Sequence, residues 1–135
     1  MLEIIQQCYI GVFSLILVLL LNSNLYAQQD PIMTNNGLIY MNTGSIITVN
    51  KGSLKITDTL INNGTLNIIN DFILDSNQIA LVKGNGIYSI GGNWENNSNF
   101  VADNSEVILN GSTDQYIKGK KVTTFHNLRL EQWRY

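Results

Sequence analysis

Beyond residue 28, apolar and polar residues alternate in short runs, and Gly, Asn, Asp, Ser or Thr interrupts each run. Leu66 and Ile68 lie two positions apart, as do Leu54 and Ile56 in an earlier run. A period of two places such pairs on one face of a β-strand, with polar residues on the other face. No segment after residue 28 sustains a helical period, so the pattern predicts an all-β body.

The runs form an irregular internal repeat. Gly44–Val49, Gly52–Ile56 and Gly64–Ile68 open with Gly-Ser-Ile, Gly-Ser-Leu and Gly-Thr-Leu. Later runs keep the alternation of apolar and polar residues between turn residues, but they lack the Gly-[Ser/Thr]-[Ile/Leu] opening. Short strands at regular spacing between turn residues are typical of a sandwich, a barrel or a solenoid.

Four Asn-Gly dipeptides leave two topologies open, and they begin at Asn36, Asn63, Asn85 and Asn110. As two-residue hairpin turns they would give an antiparallel β-sandwich. As corners they would give a right-handed parallel β-helix, or solenoid, of a few coils. Coils would then stack about 4.8 Å apart, with amide ladders between corners. The repeated Gly-[Ser/Thr]-[Ile/Leu] units favour the solenoid, with the sandwich of hairpins as the alternative.

The chain opens with an apolar leader. Tyr9–Leu21 is too short to cross a bilayer comfortably but suits the apolar core of a signal peptide, with cleavage after Ala27. We therefore predict a hydrophobic signal helix within 1–27 and a β-repeat domain over 28–135, secreted or at the cell surface. An uncleaved anchor is the alternative, and membrane contact is expected only through the leader. Cys8, the only cysteine, lies in this leader, so the body lacks disulfides and thiolates.

Charge argues against a nucleic-acid partner. Only 13% of residues are charged and the net charge is -2. Nucleic-acid binders usually carry a basic face, whereas the only basic cluster here is Lys118, Lys120 and Lys121, which is typical of a solvated loop.

Several segments resemble recurring units of large secreted surface proteins of Bacteroidota-type bacteria. They are Leu60–Leu66, Gly91–Phe100, Ser105–Gly111, Gln115–Gly119 and Thr123–Leu128. The resemblance implies β-helical or adhesin-like stalks. We expect extracellular polysaccharide or surface proteins as the partners of this chain. Many such proteins end in a C-terminal sorting domain.

The present sequence departs from that pattern in two respects. Leu109 replaces the usual aromatic residue, and no sorting domain follows Tyr135. The body is therefore interpreted either as a short paralogue or as the N-terminal part of a longer protein. An open C-terminal coil is expected to favour self-association.

Residues that could carry chemistry are sparse. His126 is the only histidine, and alternation directs it outward while Phe125 points inward. The body carboxylates Asp71, Asp75, Asp103, Glu106 and Asp114 are interpreted as solvated turn residues. We therefore expect no catalytic residues, no metal site, no cofactor and no enzymatic activity.

The aromatic residues have two interpretations, as core anchors or as platforms that stack on sugar rings. They are Tyr88, Trp94, Phe100, Tyr116 and Phe125. Trp94 and Tyr116 are the candidate glycan contacts. The leading hypothesis is a structural or adhesin-like surface protein. The alternatives are a carbohydrate-binding module, or the first coils of a truncated β-helical polysaccharide-active enzyme.

Overall fold

A computed structural model describes residues 31–131, and in this range it contains β-strands and no helix. The predicted signal helix within 1–27 lies outside the described residues. The strands are β1 (Ile32–Asn35), β2 (Ile39–Met41), β3 (Ile46–Val49), β4 (Ser53–Ile56), β5 (Thr59–Asn62), β6 (Thr65–Ile68), β7 (Phe72–Leu74), β8 (Leu81–Lys83), β9 (Ile87–Ile90), β10 (Trp94–Asn96), β11 (Asn99–Phe100), β12 (Glu106–Leu109), β13 (Ile117–Lys118) and β14 (Asn127–Leu130).

The strands form three parallel sheets in which each strand pairs with its counterpart one coil later. Sheet A has the order β1-β4-β7-β10-β13, sheet B the order β11-β8-β5-β2, and sheet C the order β14-β12-β9-β6-β3. The chain is therefore a parallel β-solenoid of about five coils. This confirms the solenoid prediction, and the sandwich alternative is wrong.

The apolar residues of the alternating runs lie in the interior of the solenoid, as the pattern predicts. Leu54, Ile56, Leu66 and Ile68 are all buried. In the looser first copy Val49 is buried, whereas Ile46 is 70% exposed. Burial of apolar surface contributes about 25 cal/mol per Å², so the continuous inner row is the main source of cohesion between coils.

Aromatic rings occupy the interior of the later coils. Phe72, Tyr88 and Trp94 are fully buried, and Phe100 and Phe125 pack against the same core cluster. The ring centroids of Phe72 and Trp94 lie 4.8 Å apart, and those of Trp94 and Phe125 lie 5.2 Å apart. The core interpretation is confirmed for Tyr88, Trp94, Phe100 and Phe125, whereas it is wrong for Tyr116, which is 62% exposed.

Asparagine side chains join successive corners between sheets B and C. The Asn85 N–H donates to Asn63 Oδ1 over 3.1 Å. The Asn104 N–H and Nδ2 both donate to Asn85 Oδ1 over 3.2 Å. The predicted amide ladder therefore exists, and it runs along the stack rather than closing hairpins.

Gly84 and Gly119 are two of several glycines at which the chain passes close to the backbone of the coil before. Gly84 has φ 118° and Gly119 has φ 131°. A Cβ atom at Gly84 would lie 2.2 Å from the Asn62 carbonyl oxygen, and one at Gly119 would lie 2.0 Å from that of Asn96. Both the left-handed φ and the lack of space require glycine there.

The described part of the last coil has strands in sheets A and C, and residues 119–126 connect them without a strand in sheet B. Thr123 Oγ1 accepts hydrogen bonds from Trp94 Nε1 and Asn96 Nδ2, each over 3.1 Å. Together with Phe125, Thr123 covers the aromatic core of the coil before. None of the described residues belongs to a helix that is long and apolar enough to cross a membrane.

Candidate binding groove

The candidate site begins with a column of residues at the start of the sheet A strands. Ser53, Asp71 and Asn93 each immediately precede a buried residue of sheet A, and Tyr116 precedes Ile117, which pairs with Trp94 but is 47% exposed. Because side chains alternate across a strand, this column lies on the outer side of the sheet. Ile32 occupies the equivalent position in the first coil.

The column is connected by hydrogen bonds that each join one coil to the next. Ser53 Oγ accepts from the Asp71 N–H over 3.2 Å. Asp71 Oδ1 accepts from the Asn93 N–H over 2.6 Å, and Asn93 Oδ1 accepts from the Tyr116 N–H over 2.8 Å. Because backbone N–H groups away from water need an acceptor, each of these side chains fixes the corner of the coil that follows.

An open groove of about 540 Å³ runs along this column. Besides Asp71 and Asn93, it is lined by Ser112, Thr113 and Asp114 of the connection between β12 and β13. A second depression of about 400 Å³ lies against the outer side of sheet C. The two share Ile69, Gly91 and Ser112, so the concave surface continues around the corner from sheet C to sheet A.

Gln115 anchors the connection that lines the groove. Its Oε1 accepts from the Gly111 N–H over 2.7 Å, and its Nε2 donates to the Ile90 carbonyl over 2.9 Å. Nε2 also contacts the Gly92 carbonyl. These bonds hold residues 111–115 against the corner of the preceding coil.

The groove carries negative charge and hydroxyl groups. Asp71 and Asp114 line it, and no Lys or Arg does so within residues 31–131. The nearby Lys118 pairs with Glu95 on sheet A, with Nζ and Oε2 3.2 Å apart. The groove should therefore repel anions and suit ligands that exchange hydrogen bonds with hydroxyl, amide and carboxylate groups.

The structure separates the two predicted glycan contacts. Trp94 is 0% exposed, so its prediction as a surface contact is wrong, because alternation directs its ring into the core. Tyr116 is 62% exposed and its N–H is bonded to Asn93, which lines the groove, but Tyr116 is not itself among the lining residues. It remains a candidate contact.

Sequence reasoning did not single out Ser53, Asp71 or Asn93 as a set. A signal was present, since each is a polar residue that directly precedes an apolar strand residue: Ser53-Leu54, Asp71-Phe72 and Asn93-Trp94. The coil lengths differ, however, and only the pairing register shows that the three side chains stack.

Two other titratable side chains, Tyr88 and His126, are not among the residues that line the groove. Burial raises the pKa of the Tyr88 hydroxyl well above its usual range, and the neighbouring Asn62 amide offsets only part of this rise. The hydroxyl makes no hydrogen bond of regular geometry with the described residues. His126 is exposed, as alternation predicts. Residues 31–131 contain no group of three or more His, Cys, Asp or Glu side chains arranged to hold a metal ion.

Fold and groove together define the class as a parallel β-solenoid with three sheets and a polar corner groove. Comparison of the chain with protein-family models, with curated proteins and with solved structures gives no match.

Proposed function

We propose that this protein is a secreted or cell-surface structural protein with an adhesin-like role and without catalytic activity. The observation that carries the proposal is the use of polar side chains along the stack. Ser53, Asp71 and Asn93 each bond to the backbone of the next coil. Side chains of the kinds that could do chemistry thus hold neighbouring coils together.

Ion pairs on the outer side of sheet A serve the same purpose. Lys55 Nζ lies 3.1 Å from Asp75 Oδ2 in the following coil, and Glu95 Oε2 lies 3.2 Å from Lys118 Nζ. Partly exposed pairs contribute at most about 1 kcal/mol each. They suit a body that must keep its coils in register while its surface stays hydrated.

The expected compartment supports the same role. The apolar run Tyr9–Leu21 and the candidate cleavage point at Ala27 predict export. The resemblance to Bacteroidota-type surface repeats implies display or adhesion. A solenoid suits either task, because stacked coils present an extended surface built from a short repeating unit.

Export is tested by fractionation of cells that produce the full chain, followed by protease treatment of intact cells. We expect the protein in the medium or accessible on the cell surface, with a mature N-terminus at Gln28. The matched control is Leu17→Arg, which places a charge in the apolar leader and should keep the product inside the cell. Wild-type protein confined to the cytoplasm would contradict the proposal.

Absence of catalysis is tested separately by incubating the purified protein with a panel of polysaccharides and measuring new reducing ends and unsaturated products. We expect neither to rise above the level without protein. Sustained product formation that scales with protein concentration would favour the polysaccharide-active enzyme instead.

A further inference from the structure

We infer that the corner groove between sheets C and A binds an extended, uncharged polysaccharide, with about one sugar residue per coil and with Tyr116 as a stacking platform. This inference rests on the proposed surface role and names its partner class. The proposed contact lies on the outer surface of the solenoid, whereas the Trp94 side chain is buried in the core.

The lining has the hydrogen-bonding groups that sugar hydroxyls need. Asp71 and Asn93 each use Oδ1 to hold the next coil, and each has a second polar atom, Oδ2 and Nδ2. Ser112 and Thr113 add hydroxyl groups from the connection. Sugar hydroxyls both donate and accept, so a surface that mixes acceptors, amide donors and hydroxyls suits them.

Apolar contacts complement these polar groups. Ile69 is 58% exposed and lines both parts of the concave surface, and Ile73 lines the larger part. Ligand sites usually combine apolar lining with a few fixed polar groups. The C–H faces of sugar rings can pack on these isoleucines while ring hydroxyls reach the column.

The spacing of the column favours a polymer rather than a small ligand. Ser53, Asp71, Asn93 and Tyr116 recur once per coil, and stacked coils advance about 4.8 Å. This advance is close to that of one sugar ring in an extended β-1,4-linked chain. The same polar contact can therefore be repeated along a polymer that lies parallel to the solenoid axis.

Charge selects among polysaccharides. Asp71 lines the groove, and none of the lining residues within residues 31–131 is a lysine or arginine. The Asp71 carboxylate would repel a uronate or sulfate group. The groove therefore favours neutral chains over acidic ones.

Tyr116 occupies the last position of the column of outward residues on sheet A. Asn93 Oδ1 accepts its N–H, and its carbonyl accepts the Trp94 N–H over 3.0 Å. Its backbone is thereby fixed while its side chain is largely exposed. An aromatic ring held on a rigid backbone loses little conformational entropy when it stacks on a ligand.

The experiment measures binding of the purified full chain to cellohexaose, xylohexaose, mannohexaose and hexagalacturonate by calorimetry. We expect at least one neutral hexasaccharide to bind and hexagalacturonate not to bind. Tyr116→Ala and Thr113→Arg should each raise the dissociation constant about tenfold or more. The first removes the platform, and the second places a bulky cation in the groove.

Matched controls come from exposed positions elsewhere on the solenoid. Tyr40→Ala removes an exposed tyrosine from sheet B, and Thr43→Arg changes an exposed turn residue of the first coil. Both should leave affinity unchanged. Tyr116→Ala and Thr113→Arg should retain the wild-type circular dichroism spectrum, because both residues are exposed.

Three outcomes would overturn the inference: no neutral hexasaccharide binds, the acidic one binds more tightly than any neutral one, or binding persists unchanged in both groove variants. None of these outcomes affects the export and turnover experiments. Failure of the groove assignment is therefore distinguishable from failure of the proposed function.

Discussion

Phe72 and Trp94 occupy equivalent positions on consecutive coils of sheet A, and their ring centroids lie 4.8 Å apart. The separation of the two rings matches the spacing between neighbouring parallel strands. The pair shows directly that strand stacking brings together residues that are distant in sequence.

Replacement of Trp94 by alanine should destabilise the fold strongly. The ring is fully buried among Phe72, Tyr88 and Phe125, and removal of a large buried aromatic costs about 3–5 kcal/mol. Urea unfolding measures the change in the free energy of unfolding, with far-ultraviolet circular dichroism as a backbone signal that does not depend on the removed tryptophan. Tyr116→Ala, at an exposed aromatic, should change the free energy of unfolding by at most about 0.5 kcal/mol. Similar effects of the two substitutions would contradict the placement of the rings.

Alanine at Gly84 should destabilise the protein more than alanine at any open glycine. Gly84 combines a positive φ with a carbonyl oxygen 2.2 Å from the added Cβ. Gly44 has φ 84° but open space, and Gly37 has open space without a positive φ. We expect the loss of stability to rank Gly84→Ala above Gly44→Ala, with Gly37→Ala neutral or stabilising. A thermal unfolding series measures the ranking, and equal effects at Gly84 and Gly37 would contradict it.

Asp71 should hold the next coil through a hydrogen bond rather than through its charge. Asp71→Ala removes the acceptor of the Asn93 N–H and should cost about 1 kcal/mol. Asp71→Asn keeps an oxygen at that position and should retain most of the stability. Amide hydrogen exchange at Asn93 gives the specific readout. It should accelerate in the alanine variant and change little in the asparagine variant, and an unchanged rate in both would remove Asp71 from this role.

Two ion-paired carboxylates tie stability to pH. The hydrogen bond from Asn97 is the main cause that lowers the pKa of Glu95 below its usual value, and Lys118 lowers it further. For Asp75, burial acts to raise the pKa, but the Lys55 ammonium and backbone N–H bonding outweigh it, so this pKa is also lowered.

Acid should therefore weaken the fold. A carboxyl group whose pKa is lower in the folded state adds stability that is present above its unfolded pKa and is lost as pH falls through the folded value. We expect a constant urea midpoint down to about pH 5 and a decline below about pH 4. Glu95→Gln should show a smaller decline than wild type. The same decline in both proteins would exclude a contribution from Glu95.

The inward residues could be predicted from the sequence because alternation is local. Leu66 and Ile68 need only a strand and one buried face, and both are buried. The sequence pattern also favoured the solenoid over the hairpins. A two-residue turn at Asn63-Gly64 would place Ile61, Leu66 and Ile68 on one face of the hairpin and leave Leu60 on the other face. In the solenoid a corner lets Leu60 and Leu66 both point inward.

The groove could not be predicted in the same way because it depends on register between coils of unequal length. Leu54 pairs with Phe72, which pairs with Trp94, so the column advances by different numbers of residues. The chain places the polar Asn93, which lines the groove, next to the buried Trp94. A difference of one position along a strand moves a side chain from the core to the outer surface.

Disulfide trapping along one outward column of sheet C tests the stacked register most directly. Thr48 pairs with Asn67, and Asn67 pairs with Ser89, so Cα atoms of neighbours should lie about 4.8 Å apart, within disulfide reach. In a Cys8→Ser background, we expect rapid intramolecular oxidation of the Thr48→Cys/Asn67→Cys and Asn67→Cys/Ser89→Cys pairs. The Thr48→Cys/Ser89→Cys pair, two coils apart, should stay reduced. Failure of both neighbouring pairs to oxidise in the folded protein, or preferential oxidation of the distant pair, would contradict the solenoid.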